Sequence, residues 1–391
     1  MVVLISPKSI YYSESISRGA LSGCLRCAAV GIYTYYSTGI LSPKTAKSVH
    51  SKGFGGIMAL ISCNVYGIYT IDMIPEIVCF YCEVIIMASK IRPGRPSKRQ
   101  LMEKATKQII ADIEDYSQKL NKRVFSEAEI NTLLEMYKDD QVLYVTTRLK
   151  NFIDFLVDQE ILITVNIDVP FGSGKMKRYA FKEASEFEIA LSIQPGSYLS
   201  HYSAMYLHGL IDNIPQIIYT NKEQSRKPRY SSDLSQDNLD QAFARPMRKT
   251  KQIAQYDRFK IYLLNGKHTG NLGVIDHNLD RIAIKIAGLE RTLIDAVVRP
   301  DYSGGIEEVL KAFMAAKGEV SVNKMLATLK KMDYIYPYHQ AIGFYLEKAG
   351  YNENVLKLVE ELGIKYNFYL TYQISDKILN DRWKLYVPRR F

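Results

Sequence analysis

The chain of 391 residues reads as an α+β protein: an N-terminal winged helix-turn-helix followed by a mixed α+β part with several C-terminal helices. Three observations predict this. Between 124 and 182 the apolar period changes from about 3.6 to 2, giving two helices and then two strands. Short strand-like runs recur between 216 and 286. Amphipathic stretches then follow one another from 306 to 362.

Composition divides the chain. All five cysteines lie in the first 82 residues, and only 11 of the 92 charged residues fall in the first 90. From there on the composition is globular. We therefore read 1–90 as an extension, disordered or added by an upstream start, because Met87-Ala-Ser-Lys-Ile-Arg92 looks like an ordinary protein start. Residues 91–183 read as the winged helix-turn-helix domain and 184–391 as a second, α+β domain. The pairs Cys24/Cys27 and Cys79/Cys82 have the local spacing of a four-thiolate zinc site, but the 51 residues between them exceed the usual separation. Phe54–Ile71 carries no charge over 18 residues, near the lower limit for a membrane span, yet Gly, Ser and Asn interrupt it. No membrane partner is expected. The cysteine-free remainder gives no sign of an oxidising compartment, which fits the cytoplasm.

Five of the ten residues in Lys90–Arg99 are cationic, and two prolines prevent a helix. The Gly94-Arg95-Pro96 core resembles an AT-hook, with the departure that Pro93 stands where that motif has Arg. An extended arm carrying Arg92, Arg95 and Lys98 suits a narrow, electronegative minor groove; the alternative is a solvated tail. A helix is expected from Ser97, with Met102, Ile109, Ile113, Tyr116 and Leu120 on one face.

Ser126-Glu-Ala-Glu129 is a capping box opening a helix with apolar positions Ile130, Leu133, Leu134 and Tyr137. A second helix is expected near Thr146 or Thr147, either of which could cap it, with Leu149, Phe152, Ile153 and Leu156 facing the core. That phase puts Thr147, Arg148, Lys150 and Asn151 on or near the outward face of its first turns, the part that enters a major groove in this architecture. Arg can pair with guanine and Asn with adenine, while Thr and Lys can hold phosphates. The hairpin Ile161-Leu-Ile-Thr-Val-Asn-Ile-Asp168, Phe171-Gly-Ser-Gly-Lys175 and Met176-Lys-Arg-Tyr-Ala-Phe181 would then set Lys175, Lys177 and Arg178 against a DNA backbone. Gly172-Ser-Gly-Lys175 is no phosphate-binding loop, because position 169 is Val rather than the required glycine. A net charge of +10 suits a polyanionic partner. The rival reading is a helix-turn-helix used only for protein docking.

Beyond this, Ser197 or Ser200 starts a helix bearing His201 and His208, seven apart on one side, with no third ligand at metal spacing. Strands are expected at Gln216–Thr220, Phe259–Leu264, Gly273–Asp276 and Arg281–Ile286. Asn221–Gln252 is a polar, cationic loop with a short helix near Leu239–Arg245; it is either solvated or a second nucleic-acid or toxin-facing surface. Helices follow at Gly288–Pro300, Ile306–Ala316, Val322–Met332, Pro337–Ala349 and Glu353–Leu362, and Ile364–Tyr372 alternates as a last strand.

Three strings carry a family likeness: Ser197-Tyr-Leu-Ser-His-Tyr-Ser-Ala-Met-Tyr-Leu-His-Gly209, Arg291-Thr-Leu-Ile-Asp295 with Arg299-Pro-Asp-Tyr-Ser-Gly-Gly305, and Tyr336-Pro-Tyr-His-Gln-Ala-Ile-Gly-Phe-Tyr-Leu346. Over about 97–391 the chain resembles the AbiEi antitoxin family. The resemblance implies a winged helix ahead of an antitoxin domain. It also implies autoregulation of a type IV toxin–antitoxin operon, often one of abortive phage infection. The implied partners are duplex promoter DNA with inverted repeats and a nucleotidyltransferase-like toxin, countered without a stable complex being required.

No nucleophile or acid–base cluster stands at a fixed spacing, so neither an enzyme nor a cofactor is expected. Asp276-His277, Glu290 and Asp295 could be cast as a nuclease site. Glu290, Arg291 and Asp295 read better as a buried ion-pair network.

Overall fold

Ser97 caps the first described helix by accepting a hydrogen bond from the Gln100 backbone while the Gln100 side chain accepts from the Ser97 N–H, a reciprocal cap. The computed structural model describes residues 95–226 and 234–391, of which Ser97–Phe391 forms one compact unit. The extension, its cysteine pairs, the uncharged run at Phe54, Arg92, Lys227 and Arg229 lie outside the described residues.

Helices α1 (Lys98–Lys104) and α2 (Thr106–Leu120) bury Met102, Ile109 and Ile113 as the period required. After β1 (Val124–Phe125), α3 (Glu127–Asp139) opens on the expected Ser126–Glu129 cap and buries Ile130, Leu133, Leu134 and Tyr137. Helix α4 (Leu149–Asp158) buries Phe152, Ile153 and Leu156 against them, with the Phe152 ring edge-on to Tyr137 at 5.9 Å. Each such side chain contributes about 1.5–3 kcal/mol by leaving water. A hairpin follows, β2 (Ile163–Asp168) and β3 (Lys175–Ala180), whose tip turns through Gly172 and Gly174 at φ +62° and +77°, values that favour glycine.

The hairpin does not stand alone. Asp168 of β2 pairs with Gln255 of β6 (Ile253–Tyr256), which carries the ladder on to β7 (Phe259–Leu264), β5 (Ile217–Asn221), β4 (Tyr198–Leu199), β9 (Ile282–Ala287) and β8 (Val274–Leu279). This nine-stranded sheet is mixed and curled. Near its other end, the Asn121 side chain after α2 exchanges two hydrogen bonds with the backbone of Ala283 in β9. Helix α5 (Glu186–Ile193) lends Phe187, Ile189, Ala190 and Ile193 to one core with Val165, Ile167, Ile218, Ile261 and Ile286 of the strands. Arg123 and Glu188 tie α5 to the chain before β1 by a paired contact at 2.6 and 3.0 Å.

The remaining core gathers the helices. After α6 (His201–Leu207) and α7 (Gln236–Ala244) come α8 (Leu289–Val298), α9 (Ile306–Ala315), α10 (Val322–Met332), α11 (Tyr338–Lys348) and α12 (Glu353–Glu360). The expected last strand shrinks to β10 (Phe368–Tyr369), and two further strands follow it, β11 (Lys377–Asn380) and β12 (Leu385–Pro388). Among the described residues no helix is long and apolar enough to cross a membrane.

Candidate nucleic-acid interface

Helix α4 begins later than its sequence suggests. Arg148 takes the capping position with no side-chain cap, and neither Thr146 nor Thr147 caps the helix. The Thr147 N–H donates to the Tyr144 carbonyl at 2.8 Å, closing a turn that carries the Thr147 side chain inward. Thr147 is 3% exposed and its hydroxyl has no hydrogen-bond partner among the described residues, so it cannot meet a phosphate as expected. Arg148, Lys150 and Asn151 are exposed. Val145, in the turn before them, is 77% exposed, an apolar side chain that polar sequence signals do not mark. Asp154 is an exposed acid one turn on.

The hairpin sorts its cations by face. Residues opposite one another in register share a face, so Lys175 with Asp168 and Lys177 with Asn166 lie on one side, Arg178 with Val165 on the other. Lys175 and Lys177 are exposed. Arg178 is not available as expected: its guanidinium is half-buried and donates twice to the Ser192 carbonyl of α5, at 2.9 and 3.2 Å. Burial pulls its pKa below the usual arginine value. Beside the lysines, a hollow of about 940 Å³ is lined by Ser126 and Glu127 at the start of α3 and by Asn166 and Ser173 of the hairpin. The sequence places none of these four in the interface, because only the fold brings 126 beside 173.

The lead-in contributes less than expected. Lys98 is half-buried and donates to the Thr146 carbonyl, bracing the turn ahead of α4. Arg95 is exposed.

A second polar centre lies in the helical part. Arg291 of α8 is 3% exposed and reaches Asp295 at 2.9 Å, Glu223 at 3.7 Å, the Leu272 carbonyl at 2.7 Å and the Tyr198 hydroxyl at 3.0 Å. Burial raises the Asp295 carboxyl above its usual range. Burial also pushes Glu223 up, but donors on Thr269 and Asn271 together with Arg291 outweigh it and leave Glu223 low. Glu290 pairs instead with Lys324 at 2.8 Å, and Asp276 with Lys285 at 2.8 Å. The acids once weighed as a nuclease site are thus divided among separate ion pairs. The histidines are likewise occupied. His201 Nδ1 lies 2.9 Å from the Ser200 hydroxyl, and His208 donates to the Ala287 carbonyl at 2.7 Å. Among the described residues no group of three or more His, Cys, Asp or Glu could hold a metal ion.

The three strings that carry the family likeness are mostly interior. Ser197 through His201, Glu290 through Val298 and Gln340 through Leu346 are all buried. These stretches build the scaffold, while Gly209, Asp301 and Gly304 of the same strings are exposed.

No protein-family model and no curated protein matches this chain. Among solved structures, the crystal structure of the RV2827C protein from Mycobacterium tuberculosis is similar at 12% identity and a TM-score of 0.44, over 72% of this chain and 90% of that one.

Proposed function

We propose that the chain is an antitoxin and autorepressor of a type IV toxin–antitoxin operon, binding duplex promoter DNA through a winged helix and countering a nucleotidyltransferase-like toxin through its C-terminal half. The observation that carries the DNA-binding half is the exposure of Arg148, Lys150 and Asn151 at the start of α4, together with Lys175 and Lys177 on one face of the following hairpin. The order of helix, helix and hairpin is that of a winged helix, whose second helix enters the major groove with its first turns. In this reading Arg148 and Asn151 discriminate bases, Lys150 sits at the groove edge, and Lys175 and Lys177 hold phosphates. Thr147 and Arg178 take no part, the first being interior and the second bonded to α5.

The antitoxin half rests on the resemblance of Ser197–Gly209, Arg291–Gly305 and Tyr336–Leu346 to the AbiEi family. A regulator without antitoxin activity is the rival, and the two separate in cells. Co-expression with the neighbouring reading frame should restore growth if that frame encodes a toxin. A gel shift on the DNA upstream of the gene should show a sequence-specific complex at inverted repeats. Growth arrest unrelieved by this chain removes the antitoxin half, and equal binding to random duplex removes the repressor half.

A further inference from the structure

The segment between α7 and β6 has a surface that the operator reading leaves unused. Arg245, Arg248, Lys249 and Lys251 are all exposed within seven residues that contain no acid. Lys249 pairs with Asp301 at 3.1 Å; no ion pair holds Arg245, Arg248 or Lys251 among the described residues. The segment has no helix or strand of its own, yet it is pinned. Met247 is 6% exposed and packs with Tyr219, Leu264 and Tyr302. The Thr250 N–H donates to the Tyr302 hydroxyl at 2.7 Å, its hydroxyl donates to the Leu263 carbonyl at 3.2 Å, and the Arg248 carbonyl accepts from Arg299 at 2.9 Å. The cations are therefore presented on a fixed backbone, so less ordering entropy is lost when a polyanion binds.

The strip leads to a hollow of about 460 Å³. Gln252, next to Lys251, is part of its wall, with Gln194, Gln224, Asn265 and Lys222. Gln194 Oε1 has no hydrogen-bond partner among the described residues. Glu223 also lines the hollow, but its carboxylate is engaged by the Thr269 and Asn271 N–H groups. Carboxamides both donate and accept, which matches the mixed edge of a nucleobase, whereas the carboxylate side chains of an acidic peptide only accept. Duplex bases are stacked and paired, so a base enters a hollow at least cost from a single strand.

We infer that this face binds single-stranded nucleic acid, with Arg245, Arg248 and Lys251 on successive phosphates and an unpaired base among Gln194, Gln224, Gln252 and Asn265. The site is separate from the α4 surface and does not depend on the operator reading.

The test is fluorescence anisotropy on the full chain with labelled single strands of about twelve nucleotides, a length within the usual site size. RNA and DNA of one sequence are compared with each other, with an abasic strand and with poly-glutamate as competitor. R245Q/R248Q/K251Q is expected to lower single-strand affinity at least about tenfold and to reduce the salt slope by about two, since each neutralised phosphate contributes roughly 0.7. Q252A is expected to weaken the base-bearing strand and leave the abasic strand unchanged. The tighter of RNA and DNA identifies the sugar that the site accepts. No single-strand binding, binding unchanged in the triple variant, or displacement by poly-glutamate as effective as by the oligonucleotide would overturn the inference, the last in favour of an acidic protein.

Discussion

Arg291→Met tests the buried centre that joins α8 to the chain between β7 and β8. The guanidinium is held by Asp295, Glu223, Tyr198, Thr269 and the Leu272 carbonyl. Without it, the Asp295 carboxylate keeps no donor and is 4% exposed, whereas Glu223 still accepts from Thr269 and Asn271. Removing one partner of a buried pair costs about 3–5 kcal/mol, mainly because the other charge is left uncompensated. Asp295 is that other charge here, so R291M/D295L should recover most of the loss by filling the site with apolar volume of similar size. Urea denaturation followed by near-ultraviolet circular dichroism measures both. The reasoning fails if R291M loses less than about 1 kcal/mol, or if the double variant is no more stable than the single.

Other outcomes follow from single side chains. Burial, with Arg299 and Arg291 nearby, pushes His201 down to about 3 from an unfolded value of 6.5. The unfolded chain therefore binds the proton first: this contribution is complete above pH 6.5 and is lost as pH falls toward 3, amounting to about 2 kcal/mol at pH 5. His201→Asn, which suits the φ of +50° there, should flatten that part of the stability profile. Thr147→Val removes an unpartnered buried hydroxyl, so denaturant midpoints should hold or rise and DNA affinity should not change. Gly343→Ala would drive a methyl into the Trp383 ring, which is fully buried, and should cost about 1–3 kcal/mol by thermal unfolding.

Local signals were legible and non-local ones were not. The helix start at Ser97 and the cap at Ser126 are short-range chemistry, and the apolar phase of Ile130–Tyr137 and Phe152–Leu156 follows from the helical repeat; all appear in the structure. Thr147 misled because a Thr before an apolar run looks like a cap, while the Tyr144–Thr147 turn decides which way it points. Arg178 misled because a cation near a hairpin tip was counted without its phase; the period of two already sets it opposite Lys175 and Lys177. Strand β6 follows directly on a cationic run and carries no strand expectation of its own; the pairing of Ile253 with Tyr262 and of Tyr256 with Phe259 supplies the order that local propensity lacks. Of the Arg291 centre only the i,i+4 pair with Asp295 lies within a local window; 198, 223 and 269 are joined to it by the fold alone.

The central claim is that the start of α4 reads bases while the hairpin lysines hold the backbone. Titrating R148A/N151A and K175A/K177A against operator and scrambled duplex across a salt series tests it most directly. The account predicts that the first variant narrows the gap between operator and scrambled DNA. It predicts that the second weakens both alike and lowers the salt slope by about two, at roughly 0.9 per phosphate. Wild-type discrimination and slope in both variants would contradict it.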